Sequence, residues 1–191
     1  MSKREVREEV LRVRKALAPD EVRQLSGKVQ ENLASLPEFV SAKVIASYVA
    51  KKDEVQTAEI VKQALALGKK VAVPRSDLSS TSLRFHEIRG LSELRPGAFG
   101  VLEPSMSAPA VPLSTADLVL VPLVAWDLTG QRVGYGKGYF DRELKSRGKA
   151  LSVGLAFEIQ RRDSIPAAPT DVPMDVIVTD RRVLRFGGSH A

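Results

Sequence analysis

The sequence predicts an α/β fold: a three-layer α/β/α single domain around a mostly parallel sheet. Three observations predict it. Short aliphatic runs alternate with stretches of helical periodicity, the pattern that strand–helix–strand crossovers write into a chain. The run from Asp117 to Val124 is nearly all aliphatic, as expected of a strand buried on both faces. The chain has 191 residues and 43% hydrophobic content, enough to bury a sizeable core in one domain. Residues 1–186 are expected to form that domain, with 187–191 as a flexible tail.

The elements follow in order. Val6, Val10, Val13 and Leu17 form one apolar stripe of a first helix,. Pro19 opens a second helix, with Val22, Leu25, Val29, Leu33 and Leu36 at helical spacing and Pro37 after it,. Lys43 to Ala50 reads as a buried strand. Thr57 to Leu67 reads as a helix closed by Gly68. Lys69 to Pro74 and Leu83 to Ile88 are the next strands. A turn-rich connection runs from Gly90 to Ser114, with Gly97, Gly100 and four prolines between Pro96 and Pro112. Phe99, Val101 and Leu102 are its expected apolar anchors, and its length marks it as functional. The strand 117–124 comes next, then a glycine-rich loop and a helix from Tyr139 to Arg147. Ala150 to Phe157 and Asp175 to Thr179 complete the strands. There is no internal repeat or low-complexity segment.

Composition removes several chemistries. With no cysteine there are no disulfides, no thiolate nucleophile and no thiolate metal site. Only His86 and His190 are present, so a histidine-rich metal centre is excluded, and both read as structural or incidental. No apolar run approaches the roughly 18 residues of a membrane span. The charged start Met1-Ser2-Lys3-Arg4-Glu5 leads into an amphipathic helix rather than an apolar signal core, so a cytoplasmic protein without a membrane partner is expected. The formal charge of +6 admits nucleic acid or a small polyanion as partner,. The basic residues are dispersed and aromatics are only 5%. That favours small anionic ligands over nucleic acid, and a monomer is expected.

The segment Gln131-Arg132-Val133-Gly134-Tyr135-Gly136-Lys137-Gly138-Tyr139-Phe140-Asp141-Arg142 carries the most chemistry. Three glycines at alternate positions allow backbone N–H groups to approach an anion, and Lys137 adds a point charge. The register is neither that of a P-loop nor that of a dinucleotide fold. Glycines alone would fit a surface turn. Lys137, Tyr139, Phe140 and Asp141 together point to an anion site. Asp141 reads either as a helix-dipole partner or, beside phosphate, as a Mg²⁺ ligand. In a parallel sheet, ligands bind beyond the carboxyl ends of the strands. The loop 131–141, Glu54 and Arg75 are all expected there.

Further pieces stand in order around this loop: Lys3 and Arg7; Tyr48, Glu54 and Thr57; Gly100-Val101-Leu102-Glu103-Pro104; Asp117 to Pro122; Trp126-Asp127-Leu128-Thr129-Gly130; Gly154-Leu155-Ala156-Phe157 with Gln160; and Pro166, Asp171 and Asp175. In that order and spacing, from Lys3 to about Thr179, the chain resembles the 5-formyltetrahydrofolate cyclo-ligase family, also called 5,10-methenyltetrahydrofolate synthetases. The resemblance implies a three-layer α/β/α fold. It also implies ATP- and Mg²⁺-dependent conversion of 5-formyltetrahydrofolate to 5,10-methenyltetrahydrofolate. In that reaction the formyl oxygen is phosphorylated by ATP, N10 closes the ring, and phosphate leaves.

The same resemblance assigns residues. Lys3, Arg7 and the positions Arg132, Val133, Gly134, Tyr135, Gly136, Lys137, Gly138, Tyr139 and Phe140 go to ATP. Val49, Glu54, Trp126 and Tyr135 to Tyr139 go to the folate, Lys137 and Arg132 to catalysis, and Asp141 and Asp171 to Mg²⁺. Without it, Lys3 and Arg7, at i and i+4, read as a solvated helix face. Arg14 extends that face and is left out of the site. Glu54 alone reads as a polar strand end, and Asp171 as a turn residue or cap. Three positions depart from the family pattern. Phe140 stands where a second tyrosine is usual, Trp126 where phenylalanine is, and Leu123 where glycine is. A role at 140 is therefore confined to packing.

Overall fold

A computed structural model describes residues 1–187. His190 and most of the expected tail, 188–191, lie outside the described residues. The helices are α1 (Lys3–Lys15), α2 (Pro19–Ala34), α3 (Pro37–Ser41), α4 (Ala58–Ala66) and α5 (Tyr139–Leu144). The strands in the first half are β1 (Val44–Ala46), β2 (Lys70–Asp77), β3 (Ser82–Ile88), β4 (Arg95–Pro96) and β5 (Leu102–Glu103). Those in the second half are β6 (Leu118–Pro122), β7 (Ala125–Trp126), β8 (Arg132–Val133), β9 (Leu151–Leu155), β10 (Val176–Val178) and β11 (Val183–Arg185). None of the helices is long and apolar enough to cross a membrane among the described residues.

Seven strands form one sheet in the order β11-β10-β9-β6-β1-β2-β3. The five from β10 to β2 are parallel, and β11 and β3 close the edges antiparallel. The expected mostly parallel α/β sheet is present. The strand β6 lies at its centre, which accounts for its unbroken aliphatic composition. Leu118 and Leu120 pack in the layer of α2, α3 and α4, while Val119 and Val121 pack on the opposite face with Leu144 of α5. Each fully buried side chain of this kind stabilises by about 1.5–3 kcal/mol.

Helix α1 stands apart from both layers. Its Val6 and Val10 pack with Val124, Ala125, Val133 and Ile165, on the β7–β8 hairpin that follows the end of β6. Ser2 caps it, accepting from the Glu5 N–H while Glu5 accepts from the Ser2 N–H,. The expected stripe is corrected here. Its third buried position is Arg14, whereas Val13 and Leu17 are only half-buried. Steps of four residues, 6–10–14, follow one side of a helix, and position 13 falls to the side of that row.

Other boundaries differ for identifiable reasons. The strand expected to reach Ala50 ends at Ala46, because the chain turns so that the Tyr48 hydroxyl donates to Val55 O at 2.8 Å. Pro37 does not merely end α2. It sits in the first turn of α3, where its missing N–H costs nothing,. The helix after the glycine loop stops at Leu144 rather than Arg147. Strand β2 continues past Pro74 to Asp77 because β3 pairs with it along that length. Strand β11 and the β7–β8 hairpin are additions. In the 90–114 connection, Phe99 and Leu102 are 46% and 44% exposed and Val101 is half-buried, so none is the anchor expected of them. Leu94, Leu113 and the carboxylate of Glu103 hold the connection instead.

Candidate active site

The carboxyl ends of β1, β2 and β6 open into a cavity of about 760 Å³. Every residue the resemblance assigned to a ligand lines it, except Trp126. That indole is fully buried in the core and donates from Nε1 to Phe157 O at 3.2 Å. Arg75 does not line the cavity either. It donates to Pro104 O at 3.0 Å and pairs with Glu103 at 3.6 Å, which ties the 90–114 connection to β2.

The glycine loop forms one wall. Gly136 and Gly138 have φ of +95° and +67°, a region that side-chain-bearing residues avoid. Helix α1 grips the loop from behind. Arg7 Nε donates to Gly134 O at 2.7 Å, and its guanidinium lies so close to Gly136 that an added Cβ would sit 3.1 Å from Arg7 Cζ. The Lys137 ammonium lies 4.0 Å from the centre of the Phe99 ring, and Phe99 packs edge-on to Tyr139 at 6.1 Å. Phe99 itself has φ of +57°, a strained geometry for a bulky residue. The helix behind the loop, α5, has only six residues. Lys3, Arg7, Lys137 and Arg142 are among the cations that line the cavity there. Phe140 packs edge-on to Phe85 at 6.5 Å and touches both core layers, so position 140 does serve packing.

Two acid–base pairs form the adjoining wall. Arg132, 6% exposed, donates from Nη2 to Asp141 Oδ1 at 2.7 Å and from Nη1 to Val172 O. Burial pushes the Arg132 guanidinium down from its ordinary value, and Asp141 and Asp171 oppose that shift. Lys3 pairs with Asp171, whose Oδ2 also accepts from the Ala168 N–H at 2.6 Å. Burial pushes the Asp171 carboxyl up, but Lys3, the Ala168 N–H and Arg132 together hold it below the usual carboxylate range. It is therefore charged at neutral pH. Two carboxylates on one wall suit a hard cation, which takes oxygen donors and commonly one or two carboxylates plus phosphate. Among the described residues no group of three His, Cys, Asp or Glu gathers to hold a metal by itself.

The opposite wall is built on Glu54, 4% exposed. Its Oε2 accepts from the Lys51 N–H at 2.7 Å and its Oε1 from the Tyr135 hydroxyl at 2.5 Å. Burial and the Glu54 carboxylate raise the Tyr135 phenol well above its ordinary value, against the pull of Arg14, so it stays protonated. Lys51 lies 4.3 Å from the Tyr135 ring centre. Val49, Pro74 and Leu83 contribute apolar lining. A carboxylate beside apolar surface can accept paired N–H groups from a flat heterocycle.

Sequence reasoning missed Arg14, which holds Tyr135 from behind, together with Lys51 and the placement of Phe99. The signal for Arg14 was its position two turns beyond Arg7 on one face. Nothing in the sequence distinguishes an arginine facing inward there from one in solvent. His86 is structural as expected: it is buried, with Nδ1 2.8 Å from Ala108 O.

Known proteins resemble this chain throughout. A model of the 5-formyltetrahydrofolate cyclo-ligase family matches residues 1–180. The 5-formyltetrahydrofolate cyclo-ligase of Escherichia coli is 30% identical over 174 residues, covering 89% of this chain and 96% of its own. That of Saccharomyces cerevisiae is 33% identical over 202 residues, covering 93% and 94%. Among solved structures, the 5,10-methenyltetrahydrofolate synthetase of Aquifex aeolicus superposes with a TM-score of 0.86 at 38% identity, covering 100% of this chain and 96% of that one. The Mycoplasma pneumoniae synthetase superposes with a TM-score of 0.77 at 27% identity, covering 94% and 99%. The chain belongs to the 5-formyltetrahydrofolate cyclo-ligase family and is an enzyme of that family.

Proposed function

We propose that this cavity converts 5-formyltetrahydrofolate to 5,10-methenyltetrahydrofolate, using ATP with Mg²⁺ and releasing ADP and phosphate. One observation carries the reading. A single cavity joins a cationic glycine-loop wall, suited to a triphosphate, to a buried carboxylate wall, suited to a pterin.

The formyl oxygen attacks the γ-phosphorus of ATP. A P–O bond forms to the formyl oxygen as the bond to ADP breaks, giving an iminium phosphate. N10 then attacks the formyl carbon, the C–O and N10–H bonds break, and phosphate carries away the oxygen and the proton as the ring closes. An amide-like oxygen is a poor leaving group, and phosphorylation removes that obstacle. The protein's work is positioning and neutralising charge.

Lys3, Arg7 and the loop from Arg132 to Phe140 take the nucleotide, Phe140 through packing alone. Lys137 meets the charge that grows on the transferring phosphoryl group, and Arg132 stands beside it as the buried cation. Glu54 accepts from the pterin N–H groups, with Val49 and residues 135–139 bordering the same ligand. Asp141 and Asp171 would hold Mg²⁺, which when bound supplies charge neutralisation for the phosphate oxygens. The same reading takes the protein as a monomer acting on small molecules.

The test is absorbance. Purified protein mixed with 5-formyltetrahydrofolate, ATP and Mg²⁺ is expected to develop the near-ultraviolet band of methenyltetrahydrofolate, and omission of ATP or Mg²⁺ is expected to abolish it. Folded protein that forms no product and binds neither ligand would overturn the reading. Product formed without ATP would overturn the phosphorylation step.

A further inference from the structure

Arg14 is the most buried cation near the cavity, at 1% exposure, yet it does not line the cavity. Its guanidinium joins three segments. Nε and Nη2 donate to Asp53 Oδ2 at 3.1 and 3.0 Å, in the β1–α4 loop. Nη1 donates to Leu123 O at 3.2 Å, just past β6. Nη2 also donates to the Tyr135 hydroxyl oxygen at 2.6 Å, in the glycine loop. A guanidinium has donors only, and a phenol has a single proton. The Tyr135 oxygen accepts from Arg14, so its own proton is free to be given to Glu54 Oε1, 2.5 Å away. Arg14 thereby fixes the direction of the Arg14–Tyr135–Glu54 chain.

We propose that Arg14 is a positioning residue that couples the two halves of the cavity, so that nucleotide and folate each bind more tightly when the other is present. The inference rests on the assignment of the glycine loop to ATP and of Glu54 to the folate. The physical route is short. Residues 135–137 of the loop are exposed, and Tyr135 is 38% exposed. A ligand that presses on this exposed loop bears on the Tyr135 hydroxyl held by Arg14 and Glu54, and a ligand on Glu54 bears on the loop through the same hydroxyl. Such coupling is reciprocal by thermodynamic necessity.

The test is isothermal titration calorimetry of 5-formyltetrahydrofolate, with and without a non-hydrolysable ATP analogue and Mg²⁺. The wild-type protein is expected to bind folate at least about fivefold more tightly with the analogue present. Arg14→Gln and Tyr135→Phe are each expected to bring that ratio within about twofold of unity. Tyr135→Phe leaves the Arg14–Asp53 pair intact, so it serves even where Arg14→Gln fails to fold. A merely structural Arg14 would lower stability and leave the ratio alone. Wild-type protein that binds both ligands without coupling overturns the inference, as does a Tyr135→Phe variant that keeps the full ratio. Wild-type protein that binds neither ligand overturns the assignment of function beneath it.

Discussion

Lys3 and Asp171, 168 positions apart, form an ion pair on the cavity wall. The pair ties the first residue of α1 to the loop before β10. It joins a residue assigned to phosphate with one assigned to Mg²⁺, so ligands entering this wall must share or replace it. It also makes stability depend on pH. The folded Asp171 carboxyl lies below its ordinary value. A depressed carboxyl contributes stability above its unfolded pKa of about 3.9 and loses that contribution as pH falls through the folded value. Asp171→Asn is therefore expected to be less stable than wild type at pH 7, by about 1 kcal/mol for a part-buried pair on an open cavity wall,. Urea denaturation at pH 7 and pH 3 checks it. A gap that fails to narrow in acid would assign the effect to something other than charge.

Lys137→Ala is expected to lower turnover more than it weakens folate binding. Its ammonium rests on Phe99, on the face of the loop that borders the cavity. Loss of a preorganised cation at a transferring phosphoryl group costs about 2–4 kcal/mol of transition-state stabilisation. Lys137→Arg is expected to restore only part of the rate, because a planar fork replaces a point charge. Steady-state kinetics at saturating ATP decide the matter, and wild-type turnover in the alanine variant would reduce the lysine to surface decoration.

Glu54→Ala is expected to weaken folate in its binary complex by about 10- to 100-fold, the range for a lost hydrogen bond to a charged group. ATP binding measured separately is expected to change less. Equal losses in calorimetry would return Glu54 to a purely structural role, as partner of Tyr135 and the Lys51 N–H.

Gly136→Ala is expected to raise the KM for ATP. The residue has φ of +95°, and a Cβ there would press on the Arg7 guanidinium. The backbone penalty alone is about 1–2 kcal/mol, and the displaced Arg7 loosens the loop at Gly134. An unaltered KM for ATP would mean that the Arg7–loop contact has no part in nucleotide binding.

Trp126→Phe is expected to destabilise by about 1–3 kcal/mol, through lost volume and a lost donor to Phe157 O,. Because the indole is buried away from the cavity, thermal stability is expected to fall further than folate affinity. The reverse result would bring position 126 back to the ligand.

The elements most legible in the sequence were those whose surroundings are uniform. The aliphatic run of β6 announced a strand covered on both faces, and α2 showed its buried side by periodicity. The Gly134–Gly138 loop showed its place at the strand ends through its glycines and one lysine, both local properties. Phe99, Val101 and Leu102 misled because apolar composition in a loop does not say which neighbour the side chain meets. Two of the three are exposed by nearly half, and Phe99 meets a lysine and a tyrosine.

What the sequence by itself determined is the α/β alternation, the burial of the 117–124 run on both faces and the family, because these depend on local period and ordered motifs. Only the tertiary structure decided that Trp126 turns inward, that Lys3 finds Asp171, and that Arg14 leaves solvent to hold Tyr135 on Glu54. Those outcomes depend on which distant segments meet past the ends of β1 and β6. A buried cation is stable only where such partners converge to satisfy its donors. That convergence is a property of the folded sheet, which no local window of residues records.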